Sequence, residues 1–190
     1  ELALTKQLRN AVNDMGFTKP TPIQAESFNV VTSGKDIVGI AQTGTGKTLA
    51  YCLPILSQLK YSDQQLPRVL IVVPTRELVM QVTQTLEELT KYMTVRIQSI
   101  FGGVNIVTQR QDLLAGSDII VATPGRLYDL VMSKSIQLKS VRKLVIDEVD
   151  VMLDLGFRGQ ISSLLDLLPD KRQSIMFSAT MTDSVAVLIE

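Results

Sequence analysis

Residues Ala41–Thr48 read Ala-Gln-Thr-Gly-Thr-Gly-Lys-Thr, directly after the apolar run Ile37-Val38-Gly39-Ile40 and directly before a helix-forming stretch that starts near Leu49. A buried strand, a glycine-containing loop and a helix, in that order, make a phosphate-binding loop. Gly44 and Gly46 let the backbone N–H groups, those of Thr43 and Thr45 among them, turn inward around an anionic phosphate. Lys47 reaches the terminal phosphates, and the Thr48 hydroxyl is a hard oxygen ligand suited to magnesium. The segment therefore marks a nucleotide binder. The strict pattern begins with glycine where this chain has Ala41, and the alternative is a glycine loop that merely joins strand to helix; the flanking strand and helix favour the phosphate.

Further apolar runs rich in Ile and Val recur at Val69–Val73, Val95–Phe101, Ile119–Val121, Leu144–Ile146 and Ile175–Phe177. Most are continuous rather than alternating, as in strands buried on both faces. Between them Leu78, Val82, Leu86, Leu89 and Met93, and again Phe157, Ile161, Leu164 and Leu168, step by three or four and predict helices. Strand alternating with helix predicts an α/β fold, a mainly parallel central sheet with helices on both faces. Ahead of the first strand, Leu4, Leu8, Val12 and Met15 mark an amphipathic helix ended by Gly16, and Pro22 opens a second that ends by Gly34. No linker or repeat interrupts the chain, and one domain over residues 1–190 is expected.

With 190 residues, 45% of them hydrophobic, the chain is long enough for one sizeable core. Nineteen basic and nineteen acidic side chains cancel, so any nucleic-acid contact must come from a local arrangement. The single cysteine, Cys52, forbids an internal disulfide and reads as a small apolar residue on the helix after the loop. The absence of histidine removes histidine acid–base chemistry and His-ligated metals. No apolar stretch approaches the length of a membrane span and no leader opens the chain, so a cytoplasmic protein without membrane contact is expected.

Six polar segments begin at the carboxyl ends of the apolar runs: the phosphate loop, Pro74–Leu78 (PTREL), Gly102-Gly103, Ala122–Arg126 (ATPGR), Asp147–Asp150 (DEVD) and Ser178–Thr180 (SAT). In a parallel sheet those ends share one edge, where α/β proteins bind ligands. At the end of Lys143–Ile146, Asp147 is placed to hold magnesium, through water, and Glu148 to orient or deprotonate the attacking water; the alternative is acidic residues that cap the next helix. Thr75, Arg76, Thr123, Arg126 and the backbone at Gly102 and Gly103 offer donors suited to phosphate oxygens. Arg126 reads equally as an ion-pair partner of a nearby carboxylate.

Taken in order, these segments together with GFTKPTPIQ (Gly16–Gln24) resemble the amino-terminal RecA-like lobe of the DEAD-box RNA helicases, over nearly the whole chain. The resemblance implies a RecA-like P-loop NTPase domain that uses ATP or ADP with Mg2+. Gly16–Gln24 is similar to the family's adenine-reading segment, so Phe17 would stack on the base and Gln24 would read its edge, with Lys19 beside them. An amide suits adenine, because it offers both a donor and an acceptor to N6 and N7. A core aromatic closing the first helix is the alternative for Phe17. The resemblance further implies that Pro74, Thr75, Arg76, Gly102, Gly103, Thr123, Pro124, Gly125 and Arg126 grip the sugar–phosphate backbone of single-stranded RNA without reading sequence. Asp150 would hydrogen-bond the hydroxyls of Ser178 and Thr180 and so couple nucleotide state to RNA; a plain polar turn is the alternative for SAT. The family's alanine is Val149 here, and two extra methyl groups must fit against the sheet at a cost of about 1 kcal/mol if there is no slack.

Nothing in the chain resembles the family's second RecA-like lobe, which supplies arginine fingers and the other half of the RNA cleft. A monomeric lobe of a larger protein is therefore expected, nearly inactive in ATP hydrolysis without its partner lobe. Two alternatives stand beside this reading: another P-loop NTPase such as a DNA translocase, and a non-catalytic scaffold that binds RNA or protein.

Overall fold

Valine and isoleucine branch at Cβ and pack well on a pleated surface, and the runs they dominate become the strands. The computed structural model describes residues 2–190, which form six strands and nine helices. The strands are β1 (Ile37–Ile40), β2 (Val69–Val72), β3 (Ile97–Ile100), β4 (Ile119–Ala122), β5 (Lys143–Ile146) and β6 (Gln173–Ser178). They make one sheet in the order β1-β6-β5-β2-β4-β3, with every neighbouring pair parallel. The sheet is thus wholly rather than mainly parallel, and all six carboxyl ends lie on one edge.

The helices are α1 (Lys6–Asp14), α2 (Pro22–Thr32), α3 (Lys47–Gln58), α4 (Arg76–Leu89), α5 (Ile106–Leu113), α6 (Pro124–Met132), α7 (Val149–Asp154), α8 (Arg158–Leu167) and α9 (Asp183–Ile189). Successive side chains of a strand point to opposite faces, so the central strands feed two cores. Val69, Ile71, Val121, Val145 and Ile175 pack with α1 to α4 on one face. Leu70, Val72, Ile120, Leu144 and Ile146 pack with α6 to α9 on the other. This is a RecA-like α/β arrangement, with β2 and β4 buried throughout.

Some elements differ from their sequence reading. β1 is an edge strand and not a buried one: Val38 and Ile40 are 40% and 49% exposed. Helix α3 starts at Lys47 and not near Leu49, because Gly46, at φ +88°, ends the loop as its N-cap. α5 showed no apolar period for a physical reason, since Gln109 is its one buried residue. α7 and α9 have six and seven residues, too few for a period to register. Val149 is fully buried in the second core, and Cys52 is buried on α3, where desolvation pushes its thiol far up. Among the described residues, no helix is long and apolar enough to cross a membrane.

The edge opposite the carboxyl ends is pinned by Asp118. One carboxylate oxygen accepts from Arg68 and Arg96 Nη2 at 3.0 Å each, and the other from the Arg96 backbone N–H at 2.8 Å and Nε at 3.2 Å. Burial pulls this carboxyl upward, but the bonds from Arg96 and Arg68 outweigh it and hold the group below the usual carboxylate range. A depressed folded pKa contributes stability above the unfolded value, about 3.9, and loses it as pH falls through the folded one. Asp118→Asn is expected to cost about 3 kcal/mol at pH 7, because two guanidinium groups lose their counter-charge. Urea midpoints measured against pH check this: the gap between wild type and variant should narrow below about pH 4, and equal midpoints at pH 7 would contradict it.

Candidate nucleotide and nucleic-acid site

The loop between β1 and α3 turns on two glycines in the left-handed region, Gly44 at φ +81° and Gly46 at φ +88°. Gly46 is required a second time: a Cβ there would lie 2.5 Å from Gln24 Nε2 and 3.0 Å from Thr21 Oγ1. Thr45 Oγ1 closes the turn by donating to the Gln42 carbonyl at 2.7 Å. Lys47 and Thr48 then occupy the first turn of α3, where free N–H groups and the helix dipole favour an anion. Lys47 is only 6% exposed, and its Nζ lies 3.5 Å from Asp147 Oδ1. Among the described residues that ammonium has no hydrogen-bond acceptor. Three N–H donors thus face a cavity of about 390 Å³ that Thr43, Gly44, Gly46 and Thr48 line on one side and Asp147 and Glu148 on another. Leu78, Gln81, Val82 and Thr85 of α4 close it.

Asp147 follows β5, and its N–H extends the ladder by donating to the Val72 carbonyl at 3.0 Å. Its Oδ1 accepts the Glu148 N–H at 2.8 Å. Burial raises the Asp147 carboxyl above its usual range, against the pull of Lys47, the Glu148 N–H and the nearby Tyr51 hydroxyl. Glu148 sits at φ 58°, ψ 50°, a left-handed conformation that costs a non-glycine residue about 1–3 kcal/mol and that clusters at functional sites. Burial first, and the Asp147 charge second, raise its carboxyl too. A carboxylate with raised pKa, held beside this cavity, is equipped to take a proton.

Phe17, Lys19 and Gln24 meet at a second cavity, about 350 Å³, walled by Val12, Leu49 and Leu53. The Phe17 ring is 45% exposed, so it is not the core aromatic of the alternative reading. Gln24 Oε1 accepts the Thr21 N–H at 3.0 Å, and Nε2 donates to the Gly46 carbonyl at 3.2 Å. Gln24 therefore ties this cavity to the phosphate loop, and still has one lone pair and one N–H to offer.

The β2, β3 and β4 ends carry the other motifs. Pro74 precedes Thr75, which caps α4 by accepting the Leu78 N–H at 3.3 Å. The exposed Arg76 lies over the Phe101 ring at 4.9 Å. Gly102 and Gly103 are exposed, Gly103 at φ +83°. Thr123 and Pro124 are buried at the start of α6, while Gly125 and Arg126 are half-buried. Arg126 Nη1 donates to Gln109 Oε1 at 2.8 Å and the Val104 carbonyl at 3.1 Å. Its partners here are neutral, so the ion-pair alternative for Arg126 finds no carboxylate among the described residues.

SAT lies at the end of β6, between β1 and β5 in the sheet. Thr180 Oγ1 donates to Asp150 Oδ2 at 3.0 Å, and Ser178 Oγ accepts the backbone N–H of Asp150 at 3.3 Å. Burial pulls the Asp150 carboxyl up, but Thr180 and the Val151 N–H prevail and hold it low. Gln42 Nε2 donates to the Ala179 carbonyl at 3.3 Å, which joins the phosphate loop directly to SAT. Sequence reasoning passed over Gln42, Gln109 and Gln81; Gln42 alone carried a signal, as the second residue of the loop.

A parallel sheet, a glycine loop opening into a helix, and a carboxylate pair on a nearby strand define a P-loop nucleoside-triphosphate-binding domain. The family model described as DEAD/DEAH box helicase matches residues 21–188. The chain belongs to that family. It is 43% identical over 99% of its length to the ATP-dependent rRNA helicase RRP3 of Debaryomyces hansenii, covering 39% of that protein. It is 42% identical over its whole length to DEAD-box ATP-dependent RNA helicase 28 of Oryza sativa subsp. japonica, covering 24% of it, and 38% identical over 97% to the helicase CshA of Streptococcus pneumoniae, covering 35%. The chain thus spans well under half the length of these relatives.

Proposed function

We propose that this chain is the ATP- and RNA-binding lobe of an ATP-dependent RNA helicase that remodels RNA at the expense of ATP. The observation that carries this reading is Lys47, a buried ammonium at a helix N-terminus, paired at 3.5 Å with Asp147, without a hydrogen-bond acceptor among the described residues, on the wall of a cavity of about 390 Å³. A cation in that state is stabilised by an anion brought to it. Lys47 would hold the terminal phosphates with the loop N–H groups of Thr43, Gly44, Thr45 and Gly46. The donor set fits magnesium, which binds through one or two carboxylates plus substrate phosphates: Thr48 and Asp147 would hold it, Asp147 through water. Held by these residues, magnesium would neutralise charge developing on the transferred phosphoryl group. Glu148 would take the proton of the attacking water.

Phe17 would stack on adenine, Lys19 would flank it, and Gln24 would read its edge with the hydrogen-bonding capacity left over from Thr21 and Gly46. Stacking of a base on an aromatic ring contributes about 1–3 kcal/mol, so Phe17→Ala should weaken ADP binding by about 5- to 150-fold. Calorimetry with ADP checks the assignment, and affinity of Phe17→Ala within twofold of wild type would count against it.

RNA would lie along the β2–β4 half of the same edge. Thr75, Gly102, Gly103, Gly125 and Arg126 would place backbone N–H groups against phosphates, with Pro74, Thr123 and Pro124 shaping the surface between them and Arg76 adding charge. Such contacts position a strand without reading its sequence and weaken as salt rises. Asp150, Ser178 and Thr180, with Gln42, would carry the nucleotide state across to this half. The second RecA-like lobe, in the remainder of a longer protein, would close over both ligands and complete the hydrolytic site.

A further inference from the structure

Tyr51 stands three residues after Thr48 and four after Lys47 on α3, so these side chains share a face of the helix. Its ring is fully buried and held at a tilt of 41° against Phe177, centroids 5.9 Å apart. Phe177 fits because its register partner on β1 is Gly39, where a Cβ would run into ring carbons Cε1 and Cδ1. The hydroxyl so placed faces the Thr48 hydroxyl and the Asp147 carboxylate, yet closes no hydrogen bond of normal geometry with either. Burying an unpartnered hydroxyl is unfavourable, and phenylalanine would fill the same space without that cost. The oxygen therefore calls for a use in a state where its neighbours move slightly.

We propose that the Tyr51 hydroxyl is a positioning group beneath the magnesium–nucleotide site, linking the two side chains that hold the cation. The inference rests on the nucleotide reading above. A threonine hydroxyl that gives its lone pair to a cation cannot also accept hydrogen bonds freely, and its proton needs an acceptor. The Tyr51 oxygen supplies one, and its own proton donates onward to Asp147. Thr48 to Tyr51 to Asp147 makes a chain in which each O–H points one way, leaving the Thr48 oxygen open to the cation and fixing the plane of the Asp147 carboxylate. This is the task of groups that orient metal ligands from behind.

Tyr51→Phe removes the oxygen and keeps the ring. ADP affinity of the 190-residue chain is measured by calorimetry with Mg2+ and with EDTA, for wild type and variant, beside thermal melts. The wild type should bind ADP more tightly with Mg2+. In Tyr51→Phe that Mg2+-dependent gain should fall by about 2- to 10-fold, as expected for one hydrogen bond, while affinity in EDTA stays within twofold and the melting temperature does not drop. A gain equal to that of wild type, or an equal loss with and without Mg2+, would overturn the proposal and leave Tyr51 as a packing residue. Wild type that binds ADP with no Mg2+ dependence overturns it too, and wild type that binds no ADP fails the nucleotide reading itself.

Discussion

Lys47→Ala is expected to weaken ADP binding by this chain about a hundredfold or more. The ammonium sits 3.5 Å from one carboxylate and, among the described residues, has no hydrogen-bond acceptor, so a phosphate would take up its free donors. Breaking a buried charge pair by removing one partner costs about 3–5 kcal/mol, which is 100-fold or more in Kd. Beside this loss of affinity a drop in melting temperature is expected, because Lys47→Ala removes the ion-pair partner of the buried Asp147 carboxylate. Calorimetry with ADP and Mg2+ reads the first quantity and a thermal melt the second. Affinity within twofold of wild type would refute the assignment of the phosphate loop.

The second large effect belongs to turnover. Glu148→Gln in the full-length protein should leave ATP binding nearly unchanged and lower ATP hydrolysis by about 10²–10⁴-fold, the usual contribution of a positioned general base. Glutamine preserves shape and removes the proton acceptor. The backbone at φ 58° that aims residue 148 is indifferent to this change, so the variant should fold as wild type does. Phosphate release under saturating ATP and RNA is the readout, and normal turnover would remove Glu148 from the mechanism.

The sheet was legible because its interior strands lack alternation. Val69–Val72 and Ile119–Ala122 are buried at every position, as a continuous apolar run suggests for a strand covered on both faces. The same rule misled at Ile37–Ile40, equally apolar but lying at the sheet edge. Strand order is set by how helices cross the sheet, and local composition carries no trace of it. α4 was legible through Val82, Leu86 and Leu89, whose burial follows the helical period, while Leu78 is half-buried and Met93 lies past the helix end. α5 was not, because its buried side chain is polar.

For the site, what could be read was position: motifs at carboxyl ends must meet on one edge of a parallel sheet. What could not be read was which polar side chains bind one another. Gln24 reaches Gly46 over 22 residues, Gln109 receives Arg126 over 17, and Gln42 reaches Ala179 over 137. Glutamine has no periodicity that marks a partner, and each contact exists only because α2, α5 or the phosphate loop is carried there by the fold. Ser178 makes the same point: its hydroxyl meets the Asp150 backbone, a geometry that depends on the start of α7 and not on residue type. Val149, which stood out in sequence as bulkier than the family's alanine, is simply enclosed by the second core.

The central claim is that the loop at Ala41–Thr48 and the Phe17–Gln24 cavity act as one adenine-nucleotide site, joined by the Gln24–Gly46 hydrogen bond. Titrating the chain by calorimetry with ADP and Mg2+, and then with GDP and Mg2+, tests it most directly. The account predicts binding of ADP and at least tenfold weaker binding of GDP, because Gln24 offers guanine no matched pair at the positions of adenine N6 and N7. Equal affinity for the two would contradict it, leaving a phosphate loop without an adenine reader.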